Sequence, residues 1–144
     1  MIRPVPGLMI EEQPEPWVVR ACLWAEARGE PAIGKLGVLW VLHHRAIKRD
    51  TSLKAEVLRP RQFSSFNADD PNRAKLLTAY LNDVSMWAAC DAVAELFESK
   101  ATVDPTLGAT HYYAHDVVTP AWGPGHPQWE HCIVLGRHTF GRAA

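Results

Sequence analysis

The sequence lacks a long hydrophobic run and an excess of either charge. Its longest apolar stretch, residues 36–42, is far shorter than the roughly 20 residues that a membrane-spanning helix needs. Its 15 basic and 16 acidic residues leave a formal net charge of -1, so the global charge does not favour nucleic acid as a partner. We therefore expect neither nucleic-acid binding nor stable insertion into a membrane.

Cysteine is scarce, and no Cys-x-x-Cys motif occurs. The three cysteines, Cys22, Cys90 and Cys132, are widely spaced. Because Cys22 and Cys90 lie in apolar helical patterns, we expect buried free thiols. One disulfide with a remaining thiol is the alternative. Free thiols fit a chain that folds in a reducing compartment.

The N-terminus also lacks the pattern of a secretory signal peptide. Pro4 and Pro6 interrupt its short apolar run, and three glutamates follow before residue 16. We expect a chain that is made in the cytoplasm and acts after release. It would be secreted if the sequence is a trimmed mature form.

The length of 144 residues indicates one domain. Residues 1–16 hold four prolines and are expected to form an irregular arm, which leaves residues 17–144 as a single catalytic domain. Apolar spacing predicts helices over residues 17–28, 32–49, 71–81 and 84–99, with a loop over 50–72. Short strands are predicted at residues 110–113, 131–135 and 138–140. Helices followed by strands indicate an α+β fold with a small antiparallel sheet.

Glycine and proline suggest how the first two helices meet. Gly29 is expected to end the first helix in a left-handed conformation, and Pro31 suits the first turn of the second. The centre of the second helix, residues 36–42, is apolar nearly all round, so this helix is expected to be the core helix. Gly34 and Gly37 predict close packing against a neighbour, which we expect to be the first helix.

Glu26 is the outstanding candidate for chemistry. It lies in the last turn of the first predicted helix, among Trp, Leu and Ala residues. The negative end of the helix dipole and the apolar surroundings both raise the pKa of a carboxyl group there. Such an acid can donate a proton near neutral pH. The alternative is an ion pair with Arg28, Arg45 or another base. Glu30 is expected to be structural and to accept from the first backbone N–H groups of the second helix.

Four blocks of sequence resemble a known family in their order. They are residues 26–45 (Glu-Ala-Arg-Gly-Glu-Pro and a glycine-bearing apolar helix that ends in His44-Arg45), residues 62–64 (Gln-Phe-Ser), residues 104–113 (Asp-Pro-Thr-x-Gly-Ala-Thr-His-Tyr-Tyr) and residues 136–140 (Gly-Arg-His-x-Phe). Together they resemble the spore cortex-lytic type of cell wall hydrolase, over about residues 17–142. His44 stands where that family has Asn.

This resemblance implies a lysozyme-like fold and cleavage of peptidoglycan glycan strands between N-acetylmuramic acid and N-acetylglucosamine. The family's catalytic acid maps onto Glu26. A lytic transglycosylase needs no second carboxylate, because the muramic acid's own 6-hydroxyl attacks C1. A phage endolysin or a bacterial cell wall hydrolase, acting on the wall or in the periplasm, would fit. We expect a monomer that needs no cofactor.

Other residues could bind the glycan or supply a second carboxylate. Gln62 and Ser64 lie in a loop able to approach the cleft, and Tyr112 and Tyr113 alternate on a strand, so that only one of them can face it. All four are predicted to bind substrate. Trp24 is expected in the core, while Trp122 and Trp129 could pack in the core or stack on sugars.

The second-carboxylate candidates lie close to prolines, where Asp is usually a turn residue: Asp69, Asp70 and Asp104.

Three other functions remain open at this point. A hydrolytic muramidase would use water in place of the muramic hydroxyl. A zinc amidase would need three ligands, but His111 and His115 lie on a predicted strand, about 13 Å apart. No His-Glu-x-x-His motif occurs, so we predict no metal site, and no Gly-x-Ser-x-Gly motif supports nucleophilic catalysis by Ser64 or Cys132. A non-catalytic wall-binding module is the third possibility.

Overall fold

The computed structural model describes residues 1–60 and 62–143. Arg61, within the predicted loop, and Ala144, at the end of the predicted domain, lie outside the described residues. The helices are α1 (Glu15–Ala27), α2 (Ala32–Arg49), α3 (Leu53–Leu58), α4 (Arg73–Leu76), α5 (Ala79–Asn82) and α6 (Val84–Glu98). None of the helices in the described part is long and apolar enough to cross a membrane.

Three short strands follow the helices: β1 (His111–Ala114), β2 (Glu130–Leu135) and β3 (His138–Arg142). They form one antiparallel sheet in the order β1-β3-β2, and Tyr112 pairs with Phe140 across β1 and β3. The predicted α+β architecture, helical over the first two-thirds with a small sheet after it, is confirmed. The predicted bounds of α2, α6 and the strands agree with the structure to within two residues.

The centre of α2 is buried as predicted, but α1 is enclosed along more of its length. Nine of its residues, among them Trp17 and Leu23, are buried, and α1 packs against α2, α3 and α6. The other helix keeps apolar residues at the surface, with Ile33 50% and Ile47 66% exposed. Apolar spacing therefore identified the buried centre of α2 but not the exposure near its two ends.

Gly34 and Gly37 do allow a close approach, but to the sheet and not to α1. A Cβ on Gly37 would lie 2.7 Å from Phe140 Cζ and 3.3 Å from Leu135 Cδ1. A Cβ on Gly34 would lie 3.3 Å from the Glu30 Cβ and 3.7 Å from both the Leu135 carbonyl oxygen and the Pro31 Cδ. These contacts seat the sheet on the first half of α2.

The end of α1 also differs from the prediction. Gly29 is not among the glycines with positive φ, and the helix closes with a tight turn in which Glu30 N–H donates to the Ala27 carbonyl at 2.9 Å. The expected left-handed residue is therefore wrong here. The chain passes from Ala27 to Ala32 in four residues, which fixes the entry of α2 close to Glu26.

The stretch between α2 and α6 is more helical than predicted. Ser52 caps α3 by accepting a hydrogen bond from Ala55 N–H at 3.0 Å, so the predicted loop contains a helix. The predicted helix over 71–81 is two short helices, because Thr78 (φ −112°, ψ 2°) leaves helical geometry between α4 and α5.

The N-terminal segment contacts the helices. The Gln13 side chain is buried and bonds Val5 and Leu8, and the Trp87 indole donates to the Ile2 carbonyl at 3.1 Å. A single 3-10 turn, Ile10–Glu12, precedes α1. These bonds hold the proline-rich segment against α6 without regular structure over its first nine residues.

Candidate active site

Glu26 lies in the last turn of α1 and faces β1. Its Oε1 accepts a hydrogen bond of 2.6 Å from the Tyr112 hydroxyl. Among the described residues no hydrogen-bond partner meets the other oxygen, Oε2. The ion pair considered as the alternative is not formed within this part of the chain: Arg28 lies 4.3 Å over the Trp24 ring, and Arg45 donates elsewhere.

Burial raises the pKa of Glu26 above its ordinary value, while the Tyr112 hydrogen bond and the nearby Arg45 charge lower it in part. The net direction is upward, as the sequence argument predicted from apolar surroundings. Burial, and then Glu26 itself, raise the pKa of Tyr112 well above its usual range. The phenol therefore stays protonated and donates to the carboxyl group.

Two cavities meet at Glu26. The first, which we call the aromatic cavity, has a volume of about 310 Å³ and is lined by Glu26 together with Arg45, Gln62, Phe63, His111, Tyr112 and Trp122. The second, the charged cavity, has a volume of about 360 Å³, and its titratable lining residues are Glu26, Arg28, Glu30, Asp116, Arg137 and His138. Of the residues described as lining them, Glu26 is common to both. An extended polymer could thus pass the carboxyl group with units on each side.

Arg45 organises the aromatic cavity from α2. Its Nε donates to the Thr110 carbonyl at 2.7 Å, and its Nη1 donates to Gln62 Oε1 at 2.9 Å. The guanidinium thus connects α2, the start of β1 and the Gln-Phe-Ser loop. The structure places the predicted Gln62 beside Glu26, in the same cavity.

The two tyrosines of β1 lie on opposite faces, as the alternation predicted. The Tyr112 ring packs against His138 and Phe140 and reaches Glu26. The Tyr113 ring contacts the rings of Trp122 and Trp129, with centroids 6.1 and 5.9 Å apart. Only Tyr112 therefore touches the candidate acid.

Ser64 is exposed at the start of a 3-10 turn, Ser64–Phe66, and is not described among the residues of either cavity. The second-carboxylate candidates Asp69, Asp70 and Asp104 are not described among the residues of these two cavities either. Asp104 accepts hydrogen bonds from Thr106 and Gly108 and lies 3.2 Å from His44 Nε2. Although burial opposes them, these partners lower the pKa of Asp104. This geometry matches the turn-residue interpretation.

Glu30 is structural, but in another way than expected. Its Oε1 accepts from the Arg137 backbone N–H at 2.7 Å and lies 3.6 Å from His138 Nδ1. It therefore fixes the turn between β2 and β3 instead of capping α2. Gly136 (φ +60°) is required at that turn, because a Cβ there would lie 2.8 Å from Glu30 Oε1.

The structure also shows the surroundings of Trp24 and of the three cysteines. Trp24 is buried, and its indole donates to Asp83 at 2.9 Å, which confirms it as a core residue. Cys22, Cys90 and Cys132 are free thiols. Across the described residues, no three His, Cys, Asp or Glu side chains converge as a metal site would require.

Comparison with known proteins identifies the family to which this chain belongs. A family model described as Cell Wall Hydrolase matches residues 29–141. The chain belongs to the cell wall hydrolase family. The match confirms the resemblance found in the motifs, although it begins after Glu26 and assigns that residue no role. No curated protein sequence matches significantly.

Two solved structures share the fold of this cell wall hydrolase. One is the catalytic domain of the germination-specific lytic transglycosylase SleB from Bacillus anthracis (TM-score 0.63, 18% identity, 96% of this chain and 99% of that chain). The other is the catalytic domain of the Bacillus cereus SleB protein (TM-score 0.61, 18% identity, 96% and 94%). At this identity the likeness shows the fold, which confirms the predicted fold class.

Some site residues could not be predicted from the sequence of this cell wall hydrolase. Asp116 lines the charged cavity, and His111 lines the aromatic cavity, yet neither was singled out for those positions. Burial, followed by the charges of Arg45, Lys48 and Arg49, lowers the pKa of His111 to about 4. The ring is therefore neutral at physiological pH. A cluster of basic residues at the end of α2 is visible in the sequence, but its distance from His111 is not.

Proposed function

We propose that this chain cleaves peptidoglycan glycan strands between N-acetylmuramic acid and N-acetylglucosamine, as a lytic transglycosylase with Glu26 as its single catalytic acid and base. The observation that carries this proposal is the position of Glu26 at the junction of two cavities, with a raised pKa and one oxygen held by Tyr112. Membership of the cell wall hydrolase family supports peptidoglycan as the polymer.

The chemistry needs one carboxyl group that gives and then takes a proton. Protonated Glu26 donates to the glycosidic oxygen as the bond from C1 to that oxygen breaks. The 6-hydroxyl of the muramic acid then attacks C1, and the Glu26 carboxylate takes the hydroxyl proton. A 1,6-anhydro sugar forms, and the acid is restored. Tyr112 holds one carboxyl oxygen in place, which leaves Oε2 for the proton transfer.

The test is mass spectrometry of purified peptidoglycan digested by the parent and by Glu26→Gln. We expect anhydro-muropeptides from the parent, and a loss of at least about a thousandfold in the variant, since both proton transfers use this group. Glu95→Gln, at an exposed carboxylate of α6, is the matched control and should retain parental activity. Full activity in Glu26→Gln would overturn the proposal.

A hydrolytic muramidase is the second candidate, because Asp116 lines the charged cavity together with Glu26. Most glycosidases use a second carboxylate as base or nucleophile. In that mechanism water takes the place of the muramic hydroxyl, and the product has a reducing end without an anhydro ring.

Asp116→Asn separates the two candidates. A transglycosylase with a single acid should keep most of its activity in this variant, whereas a hydrolase that uses Asp116 should lose it. Reducing-end products from the parent, together with an inactive Asp116→Asn, would replace the transglycosylase proposal with the muramidase.

A further inference from the structure

Arg45 determines which half of the Gln62 amide faces the aromatic cavity. A guanidinium group only donates hydrogen bonds, so the group that it contacts must be an acceptor. Its Nη1 lies 2.9 Å from Gln62 Oε1, which turns the amide oxygen toward Arg45. Within the described part of the chain, no acceptor meets Gln62 Nε2. The cavity is therefore offered an N–H donor.

The position of Arg45 is itself fixed, so this orientation is built in. Its Nε donates to the Thr110 carbonyl at 2.7 Å while its Nη1 donates to Gln62, so the guanidinium is held at both contacts. The amide cannot rotate to present its oxygen to a ligand without placing Nε2 against the guanidinium, where two donors would face each other.

Aromatic side chains line the cavity that contains this donor. Phe63 and Trp122 line the same cavity, and the Trp122 ring is supported by the His111 ring, with centroids 4.8 Å apart. The imidazole is neutral at physiological pH, as shown above. The cavity thus combines one amide donor with apolar ring surface next to Glu26.

We infer that the aromatic cavity recognises the 2-acetamido group of an N-acetylated sugar unit next to the scissile bond, with Gln62 Nε2 donating to the acetamido carbonyl oxygen. The acetamido methyl would lie against Phe63 and Trp122. This inference rests on the proposed function and adds to it a requirement for N-acetylation of the glycan.

Two other ligand chemistries fit this cavity less well. A carboxylate, from the lactyl group or the stem peptide, would be attracted by Arg45, but it would also oppose the negative charge that Glu26 acquires when it donates its proton in the same cavity. The ammonium group of a deacetylated sugar offers no acceptor to Gln62 and would lie near the Arg45 guanidinium. Recognition by an uncharged carbonyl oxygen avoids both penalties.

The test compares one peptidoglycan preparation in two forms, N-deacetylated and then re-acetylated. We expect the parent to cleave the acetylated form at least about tenfold faster, because deacetylation leaves an enclosed donor unpaired. Gln62→Ala should lose about tenfold on the acetylated form and should discriminate little between the two forms. Gln128→Ala, at an exposed glutamine, is the matched control and should keep the parental ratio.

A second variant and a binding measurement keep the test decisive. Gln62→Glu keeps the size of the side chain but removes the donor, so it should also lose the discrimination. Co-sedimentation of Glu26→Gln with the two forms measures recognition without turnover. A Glu26→Gln protein that is inactive but prefers acetylated glycan supports the inference, whereas full activity in this variant counts against the proposed function alone.

Three results would overturn the inference. The first is a parent protein with no preference for acetylated glycan in either assay. The second is an acetylation preference in Gln62→Ala and Gln62→Glu that equals that of the parent. The third is an effect of the Gln62 variants that disappears on glycan stripped of its stem peptides but persists on deacetylated glycan, which would assign Gln62 to the peptide.

Discussion

The Tyr112 hydroxyl donates a hydrogen bond of 2.6 Å to Glu26 Oε1, which joins β1 to the last turn of α1 across 86 positions of sequence. The bond favours the ionised carboxyl group and so opposes the effect of burial on the pKa of Glu26. It also selects the orientation of the acid at the junction of the two cavities. The tyrosine therefore influences both the pKa and the geometry of the candidate catalytic group.

We expect Tyr112→Phe to move the alkaline limb of the pH–activity profile to higher pH. Removing the hydrogen bond takes away a contribution that lowers the pKa of Glu26, so the acid stays protonated to higher pH. The maximal rate should fall roughly tenfold, because the carboxyl group is less well oriented. The measurement is kcat/KM against pH on purified peptidoglycan. Tyr113→Phe, on the opposite face of β1, is the control, and an alkaline limb that moves to lower pH would contradict the expectation.

Glu26→Gln should be more stable than the parent at neutral pH. The folded-state pKa of Glu26 is raised, so its stabilising contribution is complete below the unfolded-state pKa and is lost as the pH rises through the folded-state pKa. Glutamine keeps an acceptor for Tyr112 and carries no charge. We expect a gain in the free energy of unfolding at pH 7 that shrinks toward pH 4, measured by urea unfolding. An unchanged difference across this range would show that the ionisation of Glu26 is not the cause.

Gly37→Ala and Gly34→Ala form a matched pair on α2. The new Cβ at Gly37 would meet the Phe140 ring at 2.7 Å, so the sheet must shift, and we expect a loss of about 2 kcal/mol. At Gly34 the nearest atom lies 3.3 Å away, and alanine gains helix propensity, so stability should change by less than about 1 kcal/mol. Thermal and urea unfolding of both variants would check this. Equal losses would contradict the proposed contact.

Arg20 is one of the most enclosed charged residues in the helical part. Its side chain is 3% exposed and donates to Asp91 at 2.7 Å and to both oxygens of Glu98 at 2.8 Å. Removing one partner of such a network leaves unpaired charges, so Arg20→Met should cost about 3 kcal/mol.

The control for Arg20→Met is an exposed ion pair of the sheet. Arg142 and Glu130 are 40% and 65% exposed, so water screens their attraction and Glu130→Gln should leave the free energy of unfolding nearly unchanged. Urea unfolding at pH 7 measures both variants. A loss in Arg20→Met no larger than in Glu130→Gln would show that burial does not make the Arg20 network costly to break.

The helices that could be predicted from the sequence are those whose boundaries follow from neighbouring residues. The spacing of apolar residues was sufficient for α2 and α6, because one buried stripe on each helix repeats with the helical period. The helix α3 was missed, although Ser52 before a run of helix formers is a recognisable capping signal. The interruption at Thr78 has no comparable signal, and it divides the predicted third helix into two.

The sequence alone determined the class of fold, the family and the chemical character of Glu26. Its position at the end of an apolar helix predicts the upward direction of its pKa, and burial in the folded chain is the main cause of that shift. The tertiary structure alone decided which groups surround it. Tyr112, Arg45 and Gln62 come from β1, α2 and a loop, and only the packing of the sheet on α2 brings them together. Glu30 likewise serves the turn between β2 and β3, because its partners are more than a hundred residues away along the chain.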